Sequence, residues 1–262
     1  MSRVLECGTL EKEILTKVKK NLRGNIPTLA IISFNDSKYS DLLIDKCLDL
    51  GIYFKHYKLY NTETLEVISL IDELNKDEKI DGILLVEPIP KKINKYACYE
   101  KININKDVDG VNPLNQYYLS INRPKLINST VLAVFKILEF YKVSLNGMNI
   151  TVIGRSYNIS KPLVNYLINN DATITICHSK TKDLVKILSC SDIVISVTGV
   201  NNLFRSSDLK DGSIVIDVGL GDILIDSDNV SYTPKIKGVG IISIATLLEN
   251  LVTSCKILKE KL

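Results

Sequence analysis

Leu10, Ile14, Leu15, Val18 and Leu22 recur at helical spacing, which predicts an amphipathic helix over 9–22. The β-branched, apolar run from Thr28 to Phe34 predicts a buried strand. A helix over 37–50 follows, closed by Gly51 as a C-cap signal. Tyr53 to Leu59 alternates like a strand, and Thr64 to Leu74 reads as a helix with Thr62 or Thr64 at its N-cap. Asp81 to Val86 is a second buried strand. The alternation resumes after residue 129, with a helix over 129–141, strand 150–153, helix 159–169, strand 173–177, a short helix near 182–188, strands 192–196 and 213–218, and a last helix near 243–260. Strands alternating with helices imply βαβ units and a mostly parallel sheet, hence an α/β protein.

Between the two halves, Pro88 to Arg123 shows no clear period and holds Pro88, Pro90 and Pro113. This stretch is expected to be an irregular active-site loop followed by a domain boundary. Two α/β domains around a ligand cleft are the expected architecture, the second a Rossmann-like, doubly wound parallel sheet.

Composition narrows the classes. The chain has 262 residues, 45% apolar and 24% charged, near the average for soluble globular proteins. A net charge of +3 gives no reason to expect a nucleic-acid or membrane partner. No apolar run approaches the roughly 18–20 residues that span a bilayer, and residues 1–8 lack a signal segment. Six scattered cysteines without a Cys-x-x-Cys pair read as free thiols in a reducing cytoplasm. With only His56 and His178, no metal site is expected.

The chemistry concentrates between Ile150 and Thr181. A strand breaks at Gly154-Arg155-Ser156, a helix follows, and the next strand ends on His178-Ser179. Gly154 lets the backbone turn sharply, Arg155 offers a planar fork suited to phosphate, and Ser156 with the helix N-terminus supplies donors. His178 and Ser179 stand where the adenosine ribose of a dinucleotide lies. No acid is present there for a 2′-hydroxyl, and Arg155 can pair with a 2′-phosphate, so NADP is favoured over NAD. The generic G-x-G-x-x-G fingerprint is absent.

These residues resemble the methylenetetrahydrofolate dehydrogenase/cyclohydrolases. That family carries G-R-S-x-x-V-G-x-P, and residues 154–162 match it except at Ile159 and Ser160. Its C-H-S-x-T is Cys177 to Thr181, and its K-D-V-D-G is Lys106 to Gly110. Asp192 to Ser196, Gly199 and Ile216-Asp217-Val218-Gly219 match as well. The resemblance implies a folate-binding catalytic domain of residues 1–122 plus 244–262 and an NAD(P)-binding domain of residues 123–243. It implies a cytoplasmic homodimer of one-carbon metabolism. The reactions would be hydride transfer from 5,10-methylenetetrahydrofolate to NADP, then hydrolysis of the methenyl cation to 10-formyltetrahydrofolate. It assigns Tyr39, Asp109, Gly238 and Gly240 to the folate side. It assigns Thr130, Gly154, Arg155, Ser156, His178, Ser179, Gly199 and Val218 to the cofactor. Asp109 reads either as the pterin-binding carboxylate or as a turn-forming residue before Gly110, and Tyr39 as a folate contact or a core tyrosine.

The chain departs from the family where hydrolysis is performed. Its Y-x-x-x-K, anchored on Gly51, places the tyrosine at Tyr39 and Leu43 where the lysine should stand. Lys46 lies two turns beyond Tyr39, about 10 Å along the helix, and is the one candidate substitute; the alternative is an ordinary exposed lysine. In the family's V-Q-L-P-L-P, Val86 replaces the glutamine that contacts the lysine, and Glu87 replaces an apolar residue. Glu87 reads as a new acid at the cleft or a solvated loop carboxylate. The T-P-V-P-G-G-V-G-P-M-T loop is residues 233–243, keeping Gly238 and Gly240 and gaining Lys235 and Lys237. The P-C-T-P-x-G motif keeps only Thr130. A dehydrogenase with weakened or absent cyclohydrolase activity is the expected function. The alternatives are a full bifunctional enzyme using Lys46, a non-catalytic nucleotide- or folate-binding paralogue, and the same scaffold with a changed substrate.

Overall fold

The structure is a computed structural model and describes residues 3–260. It contains β1 (Arg3–Val4), α1 (Gly8–Asn21), β2 (Thr28–Ser33), α2 (Lys38–Leu50), β3 (Tyr53–Lys58), α3 (Thr64–Lys76), β4 (Gly82–Leu85), α4 (Lys95–Lys101), α5 (Pro113–Ser120) and α6 (Ser129–Phe140). It continues with β5 (Asn149–Ile153), α7 (Ser160–Ile168), β6 (Thr173–Cys177), α8 (Leu184–Leu188), β7 (Ile193–Ser196), β8 (Phe204–Arg205), β9 (Ile214–Asp217), β10 (Ile223–Leu224), β11 (Ser231–Tyr232) and α9 (Val239–Lys259).

The chain divides into two compact units. One holds Ile14–Ser129 and the residues from 247 onward. Its sheet has the order β3-β2-β4, parallel throughout. Leu29, Ala30, Ile31 and Ile32 of β2 are wholly buried, as expected of a central parallel strand covered on both faces. Asp107 extends the sheet through a parallel bridge to Ile83 of β4.

The other unit holds the residues up to 13 and Thr130–Thr246. Its six strands run β1-β11-β9-β7-β5-β6, all parallel. β5 sits between β6 and β7, so strand order reverses there, and the carboxyl ends of β5 and β7 flank a topological switch point. Ile153, Cys177, Val194 and Val215 pack in its core with Leu188 and Phe204.

The structure differs from the sequence expectation in three places. The 88–123 stretch contains α4 and α5, short helices started by Asn94 and Asn112 side chains that accept from Ala97 N and Leu114 N. They are too brief for a helical period to emerge. The unit boundaries fall after residues 129 and 246, and the first thirteen residues join the six-stranded unit, because β1 pairs with β11 and Leu5 N donates to Tyr232 O at 2.8 Å. A two-residue exposed strand leaves no pattern to read. Finally, α9 is long and apolar enough to cross a membrane by length and composition, but most of it is buried in the fold, and its interior carries Asn250 and Ser254 as buried anchors.

Candidate functional site

In the three-stranded unit the chemistry gathers at the carboxyl ends of β2 and β4. The K-D-V-D-G segment runs beside β4, and each polar residue in it has a separate task. Lys106 is buried, and its Nζ donates to Leu74 O, Asn75 O and Asp77 O, each at 2.9 Å. It thereby satisfies the carbonyls at the end of α3 that lack intrahelical partners. Asp107, fully buried, accepts from Val111 N at 3.0 Å, Asn112 N at 2.8 Å and Asn115 Nδ2 at 2.7 Å. Asp107 is the turn-former. Asp109 is a different kind of carboxylate. It is half-buried, and Ser129 Oγ donates to its Oδ1 at 2.6 Å, with Asn128 Nδ2 at 3.3 Å.

Gly110 makes that meeting possible. Its φ is +59°, and a Cβ there would fall 2.5 Å from Asn128 N, so only glycine lets residues 127–129 lie against this turn. Asn250 of α9 closes the arrangement from behind, donating to Val108 O at 2.8 Å and Ile127 O at 2.7 Å. Burial pushes the Asp109 carboxyl up to about 7; the Ser129 bond opposes this, while the charges of Asp107 and Glu87 reinforce it. A carboxyl poised near neutrality beside a fixed hydroxyl suits a ligand edge that presents N–H donors.

Glu87 follows β4 at a cis Glu87–Pro88 bond. Its Oε1 accepts from Lys95 Nζ and Tyr99 Oη, both at 2.9 Å, and its Oε2 from Ile89 N at 2.9 Å. Burial pushes its pKa up, but the Ile89 amide, Lys95 and Tyr99 outweigh this and hold it below the usual carboxylate range. Glu87 is therefore a held, ionised carboxylate.

Helix α2 carries Tyr39 in its first turn, half-buried. The helix runs unbroken to Gly51, whose φ of +71° makes the C-cap. With no bulge to shift the register, Leu43 stands one turn beyond Tyr39 and Lys46 two turns beyond. Leu43 is 0% exposed and Val86 2%. The structure thus places buried aliphatic side chains at positions 43 and 86.

In the six-stranded unit, β5 ends at Gly154, with φ +139° and a Cβ position 2.8 Å from Ser160 Oγ. The side chain of Ser156 reaches forward, its Oγ accepting from Ser160 N at 3.0 Å and thereby capping α7. Arg155 projects to solvent from this turn. β6 pairs with β5 along its full length, which brings His178 and Ser179 to the same edge as Gly154. His178 N donates to Thr181 Oγ1 at 2.8 Å and its Nδ1 accepts from Lys180 N at 3.2 Å, leaving Ser179 exposed. β7 and β9 end beside them: Val218 N donates to Ser196 O at 2.9 Å, and Gly199 turns with φ +69°. Thr130 Oγ1 and Ser243 Oγ are 3.0 Å apart. Gly238 closes a tight turn on Pro234 O, whereas Gly240 is exposed within the first turn of α9, outside the loop expected there.

Sequence reasoning did not single out Ser129, Asn128 or Asn250, which set the environment of Asp109, because nothing local marks a residue that acts across the chain. It also missed Asp222, a buried carboxylate bound to Ser196 and Thr198.

Comparison with known proteins agrees with this geometry. Residues 5–109 match the family described as tetrahydrofolate dehydrogenase/cyclohydrolase, catalytic domain, and residues 128–259 its NAD(P)-binding domain. The bifunctional protein FolD of Thermodesulfovibrio yellowstonii is 35% identical over 281 residues, covering 99% of this chain and 98% of its own. The crystal structure of the bifunctional FolD methylenetetrahydrofolate dehydrogenase/cyclohydrolase from Campylobacter jejuni superposes with a TM-score of 0.92 at 33% identity, over 98% of this chain and 99% of that one. That of the Trypanosoma brucei dehydrogenase-cyclohydrolase, complexed with NADP cofactor and inhibitor, gives 0.91 at 27% identity over 98% of both. The chain belongs to the tetrahydrofolate dehydrogenase/cyclohydrolase family.

Proposed function

We propose that this protein is an NADP-dependent 5,10-methylenetetrahydrofolate dehydrogenase in which the cyclohydrolase step is lost or greatly weakened. The observation that carries this reading is Leu43, fully buried one turn beyond Tyr39. An aliphatic side chain neither donates nor accepts a proton, and hydrolysis of the methenyl cation needs a group to steer water and move protons. Val86 offers no amide in support. Lys46 stands a full turn further along α2, about 5 Å from where the family lysine acts.

Hydride transfer makes lighter demands. NADP, when bound, accepts the hydride; the chain's residues supply alignment and charge. Asp109, steadied by Ser129, holds the amino-pyrimidine edge of the pterin, and Tyr39 orients the ring. Arg155 and Ser179 pair with the 2′-phosphate, while Gly154, Ser156 and the start of α7 receive the pyrophosphate. Thr130, His178, Gly199 and Val218 line the rest of the cofactor's path, with Gly238 and Gly240 on the folate side. Loss of hydride turns a neutral folate into a cation, and the ionised Glu87 together with Asp109 favours that charge. The family lysine would have opposed it.

A cytoplasmic homodimer is the accompanying proposal. It is supported by cysteines that are all unpaired and by β6, an edge strand with Ile176 48% exposed. Light scattering tests the dimer. The function is tested by adding methylenetetrahydrofolate and NADP and following NADPH, then adding methenyltetrahydrofolate alone and following its decay. The reading expects NADPH formation and no acceleration of decay. Decay at rates matching hydride transfer would restore the bifunctional alternative, and absence of NADPH would favour a non-catalytic paralogue.

A further inference from the structure

Asp222 lies just past the carboxyl end of β9, and its side chain reaches the carboxyl end of β7. It is 0% exposed, and its Oδ2 accepts from Ser196 Oγ, from Thr198 N at 2.9 Å and from Thr198 Oγ1 at 2.7 Å. Thr198 Oγ1 in turn accepts from Val200 N at 3.2 Å. The backbone continues the tie: Asn202 N donates to Gly221 O at 2.9 Å and Leu203 N to Asp222 O at 2.7 Å. Asp217 holds the other end, its Oδ2 accepting from Gly221 N at 2.7 Å and Asp222 N at 3.2 Å. The Asp222 carboxylate therefore fixes a turn, residues 198–200, that no strand or helix shapes.

This turn stands beside the one that ends β5. Val197 N donates to Ile153 O at 2.9 Å, and a Cβ on Gly154 would lie 3.4 Å from both Val197 O and Val197 Cβ. Gly199 is exposed, with φ +69°, and its amide makes no hydrogen bond among the described residues. The turn thus brings an unclaimed donor to the carboxyl ends of β5 and β7, the switch point at which such a sheet receives a dinucleotide.

The arrangement is costly for a tie that serves stability alone. Asp222 Oδ1 is buried and has no hydrogen-bond partner among the described residues. The carboxyl also fills the space that a Cβ on Gly219 would take, so only glycine there lets it approach. A buried charge with one oxygen unmatched subtracts from stability. The donors gathered on Oδ2, strengthened by its charge, offset part of this. Departures of this kind from the most stable choice gather where a site must be held.

We propose that Asp222 is a positioning residue for the dinucleotide: by drawing Thr198 toward β9 it sets the 198–200 turn so that the Gly199 amide donates to the bound cofactor. Asp222 acts through Thr198 and touches no ligand itself. The inference deepens the reading of this unit as the NADP site and rests on it.

Asp222→Ala, Asp222→Asn and Thr198→Val are compared with the wild type by calorimetric titration with NADP, and by hydrogen exchange over residues 197–203 without cofactor. Asp222→Ala removes the acceptor, and Asp222→Asn keeps an oxygen in its place. Thr198→Val deletes one link with little change of shape, and it carries the test where Asp222→Ala fails to fold. NADP is expected to bind Asp222→Ala and Thr198→Val more weakly by about tenfold, and Asp222→Asn to stay within about threefold of the wild type. Exchange over 197–203 is expected to quicken in Asp222→Ala and Thr198→Val. Urea midpoints are read alongside. A tie that served stability alone would lower those midpoints and leave NADP affinity unchanged in the folded variants; that result overturns the proposal. Equally weak binding by Asp222→Asn and Asp222→Ala overturns it too, because the acceptor oxygen would then not be what sets the turn. Failure of the wild type to bind NADP overturns the cofactor reading of the unit, and the donation by Gly199 with it. The mooring is then judged by exchange, and unchanged exchange in Asp222→Ala and Thr198→Val overturns that as well.

Discussion

Ser129 and Asp109 are joined by a 2.6 Å hydrogen bond across 20 residues of sequence, and this bond works against the burial that raises the carboxyl proposed to hold the pterin. With its pKa pushed up to about 7, Asp109 is about half protonated near neutral pH in the free protein. Folate binding draws it to the carboxylate. Calorimetry in buffers of different ionisation enthalpy is expected to show release of about half a proton at pH 7. The release disappears in Asp109→Asn, with folate binding weakened by tenfold or more. Because the pKa is raised in the fold, stability falls as pH rises toward 7, and Asp109→Asn flattens that slope. Ser129→Ala, which removes a bond that favours the carboxylate, raises the pKa further. A proton count of zero refutes the assignment.

Restoring lysine at position 43 should fail by itself. Leu43→Lys buries an ammonium in an apolar, fully covered position and is expected to cost about 3 kcal/mol or more in urea unfolding. It gains no methenyl hydrolysis, because Val86 cannot orient the new amine. The double change Leu43→Lys with Val86→Gln is expected to recover hydrolysis above background. Full activity from the single change would show that the lost amide is irrelevant.

Arg155→Ala is expected to weaken NADP binding by about tenfold to a hundredfold and leave the weaker NAD affinity within about twofold. Parallel loss for both cofactors would place Arg155 on the pyrophosphate instead of the 2′-phosphate.

Glu87→Gln separates charge from shape. The amide keeps a partner for Tyr99 but loses its ionic bond to Lys95, a half-exposed pair whose loss costs less than about 1 kcal/mol. If the carboxylate favours the methenyl cation, hydride transfer slows by about tenfold while NADP affinity is unchanged, and the Asp109 pKa drops because one of the charges raising it is gone. Unaltered hydride transfer leaves Glu87 as a structural ion pair.

Much of the fold was legible because long elements leave long patterns. The run Thr28 to Phe34 and the repeat Leu10, Ile14, Val18 report burial directly, and the structure returns them as β2 and α1 almost to the residue. The turn after β5 was legible because Gly154 and Ser156 act on the local backbone. The folate side was read only in part. Tyr39 and Asp109 sit in motifs, but the partners that tune Asp109 come from Asn128, Ser129 and Asn250, and no local spacing links them. Glu87 was ambiguous because a carboxylate in a proline-rich turn is ordinarily solvated; Lys95 and Tyr99, brought in by the unforeseen α4, show with the Ile89 amide that it is held. The edge strands β1 and β11 stayed hidden because two residues cannot display alternation.

The mooring of the Asp109 turn by Asn250 spans 142 residues, which has a bearing on how the protein is made. Synthesis delivers β2, β4 and the K-D-V-D-G segment first, and the amide that clamps Val108 and Ile127 follows Val108 by 142 residues. Every strand of the six-stranded sheet therefore precedes the residue that moors the Asp109 turn, and a chain cut short before α9 keeps the turn after β5 but lacks the Asn250 clamp on Val108 and Ile127.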